Sequence, residues 1–175
     1  SQRQDVGNHV YGRYLEQIRA FGCHQAAMYT GVRNVASAAL AEKNGLHRGA
    51  VLRGMSLEVA NAPQLEGGPM ELAGTGEEVA RLLEPLEEQL GGRLNINHTF
   101  YAMNRATYGG LAARGWVYHS PDALLVMGAR FQPKKALYIA ALQGDREQGL
   151  AWALAEARRR GVHRITAHFP VEDSQ

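Results

Sequence analysis

The sequence predicts an α/β protein in which helices flank a largely antiparallel sheet, and three observations predict it. Segments with apolar residues at helical spacing alternate with short runs that keep period two or are continuously apolar. Three such short runs follow one another from Trp116 to Leu142 with brief turns between them, the pattern of an antiparallel meander. A helix, a glycine and a strand succeed one another at both ends of the chain. With 175 residues, 45% of them apolar, the chain is long enough for one core of ordinary size or slightly more.

The elements follow in order. Val6, Val10, Tyr14, Leu15, Ile18 and Phe21 keep helical spacing until Gly22 stops the run. Cys23–Thr30 fits a buried strand. Asn34 is the N-cap of a helix through Val35, Ala38, Ala39 and Leu40, which Gly45 ends. Val51–Val59 alternates with period two, as a half-buried strand does. The stretch Asn61–Pro69 concentrates proline and glycine without a period and reads as a linker. Met70–Ala73 is a short strand. Glu77–Leu90 is an amphipathic helix with acids in its first turn, kinked or divided at Pro85. A second helix covers Phe100–Ala113 and stops at Gly115. Strands then occupy Trp116–His119, Ala123–Phe131 and Lys135–Leu142, with turns at Ser120-Pro121-Asp122 and Gln132-Pro133-Lys134. A helix over Gly149–Arg160 and a strand over His163–Phe169 close the pattern.

Composition excludes several classes. Nineteen basic and 17 acidic side chains leave a formal charge of +2, which provides no basic field for nucleic acid. No apolar run approaches the roughly 20 residues that span a bilayer, so no membrane partner is expected. The single cysteine, Cys23, has no partner for an internal disulfide, which points to a reducing compartment such as the cytoplasm. No Cys/His spacing suggests a metal, and no Ser-His-Asp order stands out.

The end of the chain repeats its beginning. Gly22-Cys23-His24-Gln25 matches Gly161-Val162-His163-Arg164, each after an amphipathic helix. Ala26–Val32 runs in register with Ile165–Val171, and Arg33-Asn34 falls opposite Glu172-Asp173. The offset stays at 139 residues throughout.

Within the first copy, NVASAALAEKNGL carries Asn34, Leu40, Glu42, Lys43 and Gly45. It resembles the pattern N-x-x-A-x-x-L-Y-E-K-x-G-F of the GNAT superfamily of acyl-CoA-dependent N-acyltransferases. Upstream, Gln2–Gly7 stands where that family carries its pyrophosphate loop, Q/R-x-x-G-x-G/A, at the start of a helix. The resemblance implies a mixed, mostly antiparallel sheet flanked by helices. It divides the chain into 1–59 as the C-terminal half of one GNAT-like unit, 60–69 as a linker, and 70–175 as the N-terminal part of a second. Because neither part has a complete sheet, a homodimer or a strand exchange is expected.

The function that the resemblance implies is transfer of an acyl group from acetyl-CoA or another acyl-CoA to an amine, either a small molecule or a peptide. The implied cofactor contacts are Gln2, Arg3, Gln4, Val6, Gly7, Asn8 and Asn34, because unpaired N–H groups and the dipole at a helix start suit a diphosphate. In the family the strands flanking this helix splay apart, the pantetheine arm lies between them and the acyl carbonyl meets backbone donors. Several positions depart from the pattern. Asp5 replaces the loop's first glycine, Ala41 stands in place of the tyrosine that protonates the leaving thiolate, and the second loop, Gly144–Gly149, reads GDREQG. These departures favour the alternative of a degenerate module that binds acyl-CoA or a protein and performs no catalysis. No catalytic residue is assigned. Asn95, Asn97, His98 and Asn104 form a polar cluster, and Tyr29, His119, Tyr138 and His168 read as sheet residues, Tyr29 and His168 at equivalent places in the repeat.

Overall fold

The computed structural model describes residues 2–23, 26–129 and 135–171. They fall into two units, one formed by 1–51 with 170–175 and the other by 52–169.

The first unit holds two helices. The first, α1 (Gln2–Ala20), begins one turn before the period predicts, and Gly22 ends it at φ +76°. The second, α2 (Val35–Lys43), starts as expected at Asn34, whose Oδ1 accepts from the Ser37 N–H at 3.2 Å. Gly7 faces Leu40 across the helix pair, and a Cβ at Gly7 would lie 3.6 Å from that leucine. Nearby, Asn44 Nδ2 donates to Asn8 Oδ1 at 3.3 Å. The strand predicted over Cys23–Thr30 is corrected: Cys23 and Ala26–Thr30 are not in a strand, and His24 and Gln25 lie outside the described residues. A strand is stable only as one side of a ladder, and no ladder among the described residues includes this run.

The second unit runs β1 (Leu52–Glu58), a 3-10 turn, β2 (Glu71–Leu72), α3 (Gly76–Leu83), β3 (Arg93–Ile96), β4 (Thr99–Ala102) and α4 (Arg105–Ala113). It continues with β5 (Val117–His119), β6 (Ala123–Gly128), β7 (Ala136–Gly144), α5 (Arg146–Arg159) and β8 (Arg164–Pro170). Six strands form one sheet in the order β1-β8-β7-β6-β5-β2, and β3 pairs with β4 alone. Pairs β2/β5, β5/β6 and β6/β7 are antiparallel, while β7/β8 is parallel because α5 crosses between them. The fold is therefore α/β, with a mixed, mostly antiparallel sheet flanked by helices.

Local chemistry explains the boundaries. Thr75 caps α3 by accepting from the Glu78 N–H. The sequence predicts the break at Pro85, but the helix expected to reach Leu90 ends at Leu83 and is followed by a 3-10 turn over Glu84–Leu86 and turns over 87–90. The second predicted helix is shorter than expected. It starts after its cap Asn104, and Phe100 belongs instead to β4. β6 is buried along its whole length, and Ala153 and Ala157 of α5 are fully buried. Each buried Leu, Val or Ile side chain contributes about 1.5–3 kcal/mol. The stretch 60–69, a linker by composition, packs on α5: a Cβ at Gly67 would lie 2.8 Å from that of Ala151. The division between units at Val51 puts β1 with the strands that follow it. The expected turn Gln132-Pro133-Lys134 and the match to Glu172-Asp173 lie outside the described residues.

Candidate functional site

Strand β7 is where the sheet becomes irregular. Val126 and Met127 are adjacent on β6, yet they pair with Ala141 and Ile139, so Ala140 is one residue too many on β7. Such a bulge bends its strand and increases the local twist. The parallel pairing with β8 ends at the same level. It runs from Ala136 opposite Arg164 to Ile139 opposite Ala167 and goes no further. Yet β7 continues to Gly144 and β8 to Pro170. The two strands part at the bulge, and in this ladder the β8-facing edge of 140–144 has no strand partner.

The gap opens toward the start of α5, which β7 reaches through Gly144. Its φ is +76°, and a Cβ there would fall 2.0 Å from the Asp122 carbonyl oxygen, so only glycine fits. The first turn of a helix presents free N–H groups to an anion. Here Asp145 takes two of them: its Oδ1 accepts from Glu147 N–H and Gln148 N–H, each at 3.0 Å.

Three side chains meet near the point of parting. The hydroxyl of Tyr138 lies 2.5 Å from Nδ1 of His168. The His98 ring packs edge-on against His168 with centroids 4.5 Å apart. On β1, Gly54 makes room for the imidazole, since a Cβ there would sit 3.1 Å from its Nε2. Burial, and after it the neighbouring His98, pushes the His168 pKa below the ordinary histidine value and favours the neutral ring. A neutral imidazole beside a phenol can accept and return a proton.

The turn that brings His98 here had a signal in the sequence that period reading passed over. Asn97 and His98 take φ of +47° and +66°, the two left-handed positions of a tight hairpin turn, and Asn and His tolerate that region better than most residues. Of the polar cluster around them, Asn104 caps α4, and both side-chain polar atoms of Asn95 are buried without a hydrogen-bond partner. His119, read as structural, lies 3.3 Å from the Glu78 carboxylate and links β5 to α3.

The cofactor residues implied by the family resemblance fall in the first unit. Gln2, Arg3 and Gln4 lie in the first turn of α1, while Val6, Gly7 and Asn8 lie in the second. N–H groups at that depth donate to carbonyls four residues back. Asn34 uses its side-chain oxygen as a cap, and Ala41, where the resemblance has a tyrosine, is buried. Among the described residues no group of three or more His, Cys, Asp or Glu side chains could hold a metal ion, and no helix is long and apolar enough to cross a membrane.

No family model matches the sequence, and no curated protein matches it. Among solved structures the chain is similar to a GCN5-related N-acetyltransferase from Kribbella flavida, with a TM-score of 0.45 and 16% sequence identity. The match covers 93% of this chain and 41% of that one, so the chain spans about two fifths of that protein's length.

Proposed function

We propose that the chain is a GNAT-type N-acyltransferase that moves an acyl group from acetyl-CoA or another acyl-CoA to a small-molecule or peptide amine. The observation that carries this reading is the parting of β7 and β8 at the Ala140 bulge, directly before a helix start. A bulge that frees one strand edge leaves backbone N–H groups toward the gap, where they can hold an acyl carbonyl as charge develops on its oxygen. Acyl-CoA, when bound, supplies the activated thioester. The protein's own part is to align the amine with it and to receive the amine proton, a role the Tyr138–His168 pair can fill.

Two helix starts compete for the cofactor diphosphate. In the reading drawn from the resemblance it is α1, through Gln2, Arg3, Gln4, Val6, Gly7 and Asn8 with Asn34. There the N–H groups of Gln2, Arg3 and Gln4 are free of intrahelical partners, but contacts from Val6, Gly7 and Asn8 require the helix start to open, because their N–H groups donate to carbonyls four residues back. At α5 the Asp145 carboxylate already takes two of the donors.

Those two features favour a second reading, a degenerate module of the same fold with no turnover. Calorimetric titration of CoA and acetyl-CoA into the protein, with thiol release followed over a panel of amines, separates the readings. An acyltransferase binds acetyl-CoA and releases thiol in the presence of at least one amine. Binding that Gly7→Glu abolishes places the diphosphate at α1, whereas binding that Asp145→Ala strengthens places it at α5. Absence of binding with a native fold eliminates the enzyme reading.

A further inference from the structure

A cavity of about 300 Å³ lies between α4, the β3–β4 hairpin and the ends of β5 and β6. Its apolar wall is formed by Ile96, Leu111 and Trp116. Glycine at two positions lets lining side chains pack closely against the backbone. At Gly110 a Cβ would lie 3.2 Å from an Arg114 guanidinium nitrogen, and at Gly128 a Cβ would collide with Ile96 Cγ2 at 2.6 Å. The Trp116 ring is held in place from outside by the Arg160 guanidinium, 4.0 Å from its centroid.

The polar part of the lining comes from Arg114, Tyr101 and Thr107, and its one charge is positive. Arg114 is exposed at the mouth, where one guanidinium nitrogen donates to the Gly110 carbonyl at 3.1 Å. That bond fixes the group and leaves most of its five N–H donors for another partner. Among the described residues no carboxylate pairs with Arg114, and none lines the cavity. Tyr101, also in the lining and partly exposed, adds a phenol. An apolar recess with one fixed guanidinium at its mouth matches a ligand with an apolar body and an anionic end, because planar guanidinium and carboxylate pair through two parallel hydrogen bonds.

We propose that this cavity binds a small carboxylic acid with an aromatic or branched apolar body, its carboxylate on Arg114 and its body against Ile96, Leu111 and Trp116. Binding requires no acyl-CoA, and the proposal therefore holds or fails apart from the acyl-transfer reading.

The test titrates 3-phenylpropionate and, separately, 3-phenylpropionamide into the full chain, followed by amide NMR. The acid is expected to move the Gly110 and Gly128 signals and to bind about 10-fold more tightly than the amide, the gain of a charge-assisted pair over a neutral one. Arg114→Gln should bring the acid down to the level of the amide. Ala106→Phe, which fills the recess from α4, should remove both. Equal affinity for acid and amide, an acid affinity that Arg114→Gln leaves unchanged, or no binding by a natively folded chain each overturns the proposal.

Discussion

Replacing Glu156 by glutamine tests how the second unit holds α5 in place. The Glu156 side chain is 6% exposed and accepts from Arg159 and from Arg160. Arg160 in turn donates to the Gly115 carbonyl at 3.2 Å, and its guanidinium lies over Trp116, so the cluster joins α5 to the turn after α4. Burial alone would raise the carboxyl pKa, but the two guanidiniums and the Tyr118 hydroxyl outweigh it and hold the group at about 2, against an ordinary 4.5. A difference of roughly 2.5 units at about 1.4 kcal/mol each gives an upper limit of about 3.5 kcal/mol. Arg159 is 67% exposed, so water screens its share and about 2 kcal/mol is expected.

Because the folded pKa lies below the unfolded one, this stability is fully present above about pH 4.5. It is lost as the pH falls toward 2, where the carboxyl is protonated in both states. Urea denaturation of the parent and of Glu156→Gln should therefore differ by about 2 kcal/mol at pH 7 and converge as the pH approaches 2. Other carboxylates titrate equally in both proteins and cancel from the difference. A gap that stays the same from pH 7 to pH 3, or one below about 0.5 kcal/mol at pH 7, would refute the assignment of the low pKa to this cluster.

Three further outcomes are expected. Asp145→Ala removes the cap of α5 and should lower stability by about 1 kcal/mol in chemical denaturation, with no change if solvent replaces the carboxylate fully. Gly7→Ala puts a methyl 3.6 Å from Leu40, an ordinary contact, and should stabilise α1 by up to about 1 kcal/mol. A fall in thermal midpoint would show that Gly7 is needed in a non-helical conformation. In an NMR titration His168 should ionise below its ordinary value of 6.5, and His98→Ala should bring its midpoint upward. The contribution of His168 to stability is then present above pH 6.5 and lost as the pH falls through the folded value.

What was legible in the sequence is what depends on neighbours along the chain. The cap at Asn34, the stop at Gly22, the break at Pro85 and the meander from Trp116 onward all rest on interactions within a few residues, and the structure has them. The strand expected over Val51–Val59 likewise appears as β1, although the four successive residues 53–56 are exposed and the half-buried alternation is not there. The hairpin was legible in principle, since Asn97-His98 can adopt two positive φ angles, but helical spacing hid it by extending back to Phe100. Cys23–Thr30 has the composition of a strand, yet composition cannot supply the partner that a ladder requires. The candidate site belongs to the same non-local class. Nothing in Ala140-Ala141-Leu142 marks an extra residue, because a bulge is a mismatch of count between two strands. The meeting of Tyr138, His168 and His98 joins three segments distant in sequence, and Gly54 on a fourth leaves the room for it. Short-range capping and periodicity decided which elements form. Strand pairing and side-chain packing in three dimensions decided where β7 and β8 part and which side chains meet there.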